Sequence, residues 1–208
     1  LLRTYKERPS NIPGYLDDYA YWVQALIDLY EATFNRSYLD QALFWMDRCL
    51  QLFWDEKAPG FYLTPVHHER LIHRPKDWRD ESLPSGTGIC VLNLLKLHHV
   101  DEQRGYDERA QSVLENYRRQ MDQNPWAAST LLLAYDALVN GGTEVIVVAP
   151  DDQIDEALSL MKAANQRYVS HPIFHLITPE EAKSDDAPSL WRGKLQKEGR
   201  ATAYICRG

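Results

Sequence analysis

The sequence predicts a mainly α fold, built of helical hairpins and followed by a small mixed α/β unit at the C-terminal end. Three observations predict it. Apolar residues recur at three- and four-residue steps through most of residues 1–141, one proline-rich excursion interrupts them, and a β-branched run appears after Gly141-Gly142. The division expected is therefore 1–141 for the helical-hairpin region and 142–208 for the mixed unit.

From Leu16 to Tyr30 the residues Leu16, Tyr19, Ala20, Val23, Leu26, Ile27 and Tyr30 repeat with the period of one buried helical face. Ser37, with Asp40 three residues on, reads as a capping arrangement before a second periodic set, Leu39, Ala42, Leu43, Met46, Leu50 and Phe53. The short link at Asn35 and Arg36 makes these two helices an antiparallel hairpin. Between Trp54 and Pro84 the pattern lapses into a long loop punctuated by Pro59-Gly60, Pro65, Pro75 and Pro84, with Phe61-Tyr62-Leu63 expected as a brief strand. Loops of this length inside compact domains are often functional. A second helical pair follows, from about Gly88 to His98 and then through Tyr106, Ala110, Val113, Leu114, Tyr117 and Met121. Asn124-Pro125 caps a fifth helix, whose stretch from Trp126 to Val139 is apolar almost all round and is expected to lie between others.

Val145-Ile146-Val147-Val148 then reads as a strand, Asp151-Asp152 as the opening of a helix to Asn165, and Ile173 to Ile177 as a second strand. Together they describe a βαβ unit. Its strand-to-helix turn lacks Gly-rich spacing, so it is not a phosphate cradle. Pro179 to Lys183 adds a helical turn, and Ala201 to Cys206 a last strand joining the same sheet.

Composition excludes several classes. A length of 208 residues, 44% of them hydrophobic, suffices for a sizeable core, and a net charge of -7 repels nucleic-acid phosphates and anionic lipid. Arg118-Arg119 and the group Lys194, Lys197 and Arg200 are too short and too interrupted by acids to reverse that, so no nucleic-acid partner is expected. The longest apolar runs fall far short of the ~20 residues that span a bilayer, so a soluble chain with no membrane partner is expected. Cys49, Cys90 and Cys206 are odd in number, widely spaced and without a close pair in sequence, which suggests neither a disulfide framework nor a zinc knuckle and fits a reducing cytoplasm. Because the chain opens on Leu1-Leu2-Arg3 and not on methionine, the expectation is a piece of a longer protein.

The chemistry-bearing candidates fall in two places. Asp17 and Asp18 occupy the first turn of the first helix, where the dipole favours a carboxylate by roughly 0.3–1 kcal/mol. Neighbours on a helix point about 100° apart, so one can cap while the other faces a cavity. Arg74, Lys76, Asp77, Asp80 and Ser85 lie on the excursion, where a guanidinium or ammonium can bind carboxylate or hydroxyl groups and a carboxylate opposed to Lys76 can shuttle a proton. A solvated charge run is the plain alternative for this segment. The expected catalytic set is Asp18, Asp80 and Lys76, and the expected substrate-binding set is Asp17, Tyr19, Arg74, Asp77 and Ser85. Asp18, Arg74, Lys76 and Asp80 are expected to converge on one solvent-accessible cavity. Tyr15, Tyr19, Trp22, Trp45, Trp54 and Trp78 are candidates either to stack on sugar rings or to fill the core. His67-His68 and His98-His99 are adjacent pairs that do not converge on one ion, so no metal is expected. Ser85, in Pro84-Ser85-Gly86, reads as a helix start and not as a nucleophile.

The string Gly14-Tyr15-Leu16-Asp17-Asp18-Tyr19-Ala20, followed by Leu29-Tyr30-Glu31-Ala32-Thr33, resembles the spermatogenesis-associated protein 20 family of thioredoxin-domain-containing proteins. Arg74-Pro75-Lys76-Asp77, Pro84-Ser85-Gly86 and Ala201-Thr202-Ala203-Tyr204-Ile205-Cys206 keep the family's order, so the resemblance covers nearly the whole chain. It implies a C-terminal part of such a protein, in which a thioredoxin-like domain precedes a six-hairpin toroid similar to N-acylglucosamine 2-epimerases and several glycosidases. The hairpins here would then be a partial (α/α) toroid, with inner helices presenting their N-terminal ends, and hence Asp17 or Asp18, to a central cavity. The function implied is a carbohydrate-directed epimerase, isomerase or hydrolase-like pocket with a sugar-like small-molecule ligand and no cofactor. The alternative is a non-catalytic binding or scaffold domain of a redox-linked protein. Self-association, or contact with a preceding region, is expected in either case. The chain has Asp80-Glu81-Ser82 where the family reads Asp-Gly-Ala, and Thr87 where it reads Asn.

Overall fold

The computed structural model describes residues 1–9, 11–68, 71–166 and 168–207. It is a mainly α chain with a small three-stranded sheet, and it divides into two compact units. One comprises Leu1–His98 with Gln103–Asp136, the other His99–Glu102 with Ala137–Gly208.

The first unit begins with a two-residue antiparallel pair, β1 (Tyr5–Lys6) and β2 (Arg8–Pro9). Helix α1 (Leu16–Thr33) follows, and every residue that carries its apolar period, from Leu16 to Tyr30, is buried. Its last turn closes on Phe34, which adopts φ 53° so that its N–H donates to Tyr30 O at 2.6 Å. Glycine is the usual residue in that left-handed position. Here the Phe34 ring packs edge-on against Tyr30 at 5.9 Å, a contact glycine lacks.

Helix α2 (Arg36–Phe53) is capped by Asn35, whose Oδ1 accepts the Ser37 N–H at 3.0 Å. The cap is thus Asn35 and not the Ser37–Asp40 arrangement expected, because a side-chain oxygen can satisfy the free N–H two residues along the chain. Among the described residues of the excursion after α2 there is a single bridge, Trp54 to Phe61, in place of the expected strand at Phe61-Tyr62-Leu63. The backbone hydrogen bonds there go to scattered partners: Tyr62 N–H to Phe53 O at 2.8 Å and Leu63 N–H to Pro75 O at 2.9 Å.

Helix α3 (Gly86–His98) is buried on nearly every side and starts earlier than the expected Gly88. It packs against both α1 and α4 (Tyr106–Gln123). Asn93 donates to Ala20 O at 2.9 Å, and Cys90 Sγ lies 3.7 Å from Cys49 Sγ of α2. The cysteines, far apart in sequence, therefore include a close pair that only the packing of two helices creates.

Asn124 accepts from Ala127 N–H and opens the 3₁₀ turn Pro125–Ala128, which leads into α5 (Ser129–Asn140). That helix does not lie between others: it buries Thr130, Leu131 and Ala134, while Trp126 is 89% and Leu133 50% exposed. Apolar residues all round a helix show that it tolerates burial on every side but supply no neighbours to cover it.

In the second unit, β3 (Thr143–Val148) lies between β4 (Pro172–Ile177), to which it is parallel, and the antiparallel β5 (Thr202–Arg207). Helix α6 (Ile154–Asn165) makes the β3–β4 crossover. The short α7 (Pro179–Lys183) is closed by a capping box in which Thr178 Oγ1 accepts the Glu181 N–H and Glu181 accepts the Thr178 N–H. Being central, β3 is buried along both faces, which accounts for its unbroken β-branched run. Ile146, Val148 and Ile177 form a core with Ala182 and Trp191. Among the described residues no helix is long and apolar enough to cross a membrane.

Candidate functional site

The first turns of α1 and α3 meet in the first unit. Asp18 turns back on its own helix, and its Oδ2 accepts the Tyr15 N–H at 2.8 Å. Asp17, about 100° around the helix, faces α3 and accepts the Gly86 N–H. A Cβ at Gly86 would overlap the Asp17 carboxylate, so glycine is what permits this approach. Burial raises the Asp17 carboxyl above its ordinary range, the Asp18 charge adds to this, and Arg3 and the Gly86 hydrogen bond work against it.

The excursion supplies the opposite wall. Asp80 accepts the Ser85 N–H at 2.8 Å and the Thr130 N–H at 2.7 Å, fastening the starts of α3 and α5 with one carboxylate. Ser85 Oγ accepts the Gly88 N–H at 3.1 Å, as a helix start should. Thr87 Oγ1 donates to Asp77 O at 2.6 Å. The Asp77 carboxylate accepts the Arg79 N–H and Nε–H at 3.0 and 3.2 Å. Tyr21, one turn beyond Asp17, donates to Pro84 O at 2.9 Å.

Between these walls lies a cleft of about 270 Å³. Asp17, Tyr21, Asp77, Arg79, Glu81 and Ser85 line it, with Leu63, Leu83 and Pro84 as its apolar surface.

The other candidates are engaged elsewhere and do not line this cleft. Arg74 donates to Thr64 O at 2.6 Å and stacks over the Tyr62 ring at 4.0 Å. Lys76 pairs with Asp55 at 2.7 Å and also lies over Tyr62, at 4.9 Å. Tyr62 donates its hydroxyl proton to Asp55 at 2.8 Å, and these partners, Lys76 first, hold the Asp55 carboxyl well below its usual range. Tyr19 is core, edge-on to Phe53 and Trp45. Asp17, Asp77 and Ser85 are therefore brought together, whereas Asp18, Arg74, Lys76 and Asp80 each satisfy a local backbone or ion-pair demand. Tyr21, Arg79 and Glu81 were not among the candidates. Tyr21 was legible as the residue four positions after Asp17, and Arg79 and Glu81 lie within the same Asp77–Ser85 run. Among the described residues no three His, Cys, Asp or Glu side chains are placed to hold a metal ion.

No protein-family model matches the chain. Human spermatogenesis-associated protein 20 is 30% identical over 203 residues, which cover 95% of this chain and 25% of that protein. The rat protein of the same name is 30% identical over 202 residues, 94% of this chain and 25% of its own length. An uncharacterised protein of Caenorhabditis elegans is 28% identical over 201 residues, 96% of this chain and 27% of its own length. The chain spans about a quarter of the length of the curated relatives it matches. Along nearly its whole length this chain is similar to a segment of spermatogenesis-associated protein 20.

Proposed function

We propose that the cleft between the N-terminal ends of α1 and α3 binds one small, hydroxyl-rich ligand of sugar type, with Asp17 as the group that transfers a proton. The position of Asp17 carries the reading. It stands at the cleft wall, partly withdrawn from water and beside a second carboxylate, so its proton is held more firmly than usual. A carboxyl raised in this way suits general acid–base work. Asp77, Arg79 and Ser85 offer acceptors and donors to hydroxyl groups, and Tyr21 with Leu83 offers a flat apolar surface of the kind that covers a sugar face. The hairpins are read with it as part of an (α/α) toroid.

A non-catalytic reading has an observation of its own: the bond from Gly86 N–H to Asp17 gives that carboxylate a structural task between two helices. Calorimetric titration of the chain with a panel of neutral monosaccharides and their epimers, repeated on Asp17→Asn, separates the two. Saturable binding with proton uptake or release that disappears in the variant supports the proton-transfer role. Binding that survives Asp17→Asn with no change in proton linkage supports the non-catalytic reading, and no saturable binding across the panel removes the sugar-type ligand.

A further inference from the structure

Cys49 on α2 and Cys90 on α3 are 41 residues apart in sequence, yet their sulfurs lie 3.7 Å from one another, in van der Waals contact. Both side chains are fully buried. On the same two helices Met46 and Phe53 of α2 and Val91 and Leu94 of α3 are also at 0% exposure. We propose that Cys49 and Cys90 are a latent disulfide, an oxidation site that joins α2 to α3 inside the helical core.

Geometry makes the bond reachable. A disulfide places its sulfurs about 2.05 Å apart, so from 3.7 Å the pair must close by roughly 1.7 Å. The oxidant has to come from outside, and a peroxide serves. Hydrogen peroxide converts one thiolate to a sulfenic acid with release of hydroxide, and the second thiol displaces the sulfenic oxygen as water. In sum two S–H bonds and one O–O bond break, one S–S bond forms, and one peroxide becomes two waters.

Burial decides when this happens. It pushes the Cys90 thiol well above its ordinary range, and the contact with Cys49 adds to that, so the thiolate needed for attack is scarce in the closed fold. The bond therefore forms while α2 and α3 separate transiently, or before they first pack, and a reductant reaches it through the same opening. The loop it closes contains the excursion that forms the Asp77–Ser85 wall of the cleft. Oxidation thus restricts the unfolded chain around the candidate site without adding any group to it.

The experiment uses the full chain carrying Cys206→Ser, which removes the third thiol. Peroxide is added under native conditions and, separately, during refolding from urea. The expected result is a mass lower by two hydrogens, a non-reduced digest containing one linked peptide with both Cys49 and Cys90, and an unfolding temperature higher by roughly 5–15 °C that reductant reverses. Refolding should give faster and fuller linkage than native treatment. Cys49→Ala in the same background should lose the linked peptide, a readout that holds even if that variant is less stable. Addition of oxygen in place of hydrogen loss, absence of the linked peptide in both arms, or a lower unfolding temperature on linkage would overturn the proposal.

Discussion

The Asp17 carboxylate occupies the space that a β-carbon at Gly86 would need, so one side chain separates the first turns of α1 and α3. Leu16 Cγ and the Asp17 backbone nitrogen stand close behind, at 3.2 and 3.3 Å from that position.

Gly86→Ala should accordingly destabilise the chain, even though alanine suits a helix better than glycine by about 1 kcal/mol. Overpacking of this kind costs roughly 1–3 kcal/mol, because a backbone neighbour cannot swing aside as a side chain can. Urea unfolding gives the measurement. Adding Asp17→Ala to Gly86→Ala should recover part of the loss, and strict additivity would show that the two positions do not share space.

Asp80 is the most exacting structural carboxylate of the site, with one oxygen on Ser85 N–H and the other on Thr130 N–H. Asp80→Ala leaves two helix-start donors without their acceptor, at a cost of roughly 2–4 kcal/mol. Asp80→Asn keeps one acceptor and should lose about half as much. Denaturation midpoints of the two variants check the order, and equal losses would mean that only one of the two hydrogen bonds matters.

Two carboxylates should respond to pH with opposite signs. The Asp17 pKa is raised above 3.8 in the fold, so the folded state holds the proton more tightly and this group's stabilising contribution is lost as pH rises through the folded value. Asp17→Asn should therefore gain on the parent chain as pH climbs from about 4 to about 7. The Asp55 pKa is lowered from 3.8, so its contribution is present above that value and is lost as pH falls. Asp55→Asn should lose most at neutral pH and converge with the parent in acid. Unfolding temperatures across the range decide both, and parallel curves would contradict them.

Arg74→Lys tests whether the excursion is pinned by shape or by charge. The guanidinium both donates to Thr64 O and sits over the Tyr62 ring, and an ammonium keeps the charge without the planar fork. Hydrogen exchange at the amides of Tyr62 and Leu63 should quicken by roughly tenfold, about 1.4 kcal/mol of local protection. Unchanged exchange would assign the pinning to the Lys76–Asp55 pair.

The helices of the hairpins and the C-terminal strands were legible because each is dictated by local periodicity. Leu16, Tyr19, Ala20, Val23, Leu26, Ile27 and Tyr30 share one face at any 3.6-residue pitch, and the β-branched run at Val145 to Val148 fits a strand covered on both sides. That Asp17 and Asp18 divide the work between capping and facing the neighbouring helix also follows from residue spacing, since adjacent positions diverge by about 100°. The sequence by itself therefore determined the hairpin helices, the strands of the C-terminal sheet and their order, whereas the strand expected at Phe61-Tyr62-Leu63 is replaced by one bridge from Trp54 to Phe61. Only the tertiary structure decided which charges meet. Arg74 and Lys76 were drawn to Tyr62 and Asp55, Asp80 to two helix-start N–H groups, and Cys49 to Cys90, because hydrogen bonds and contacts act over a few ångströms between residues that chain distance does not relate. The exposed Trp126, in the turn that leads into α5, has the same origin: an apolar residue marks a surface that can be buried, and the packing of the other helices determines whether it is.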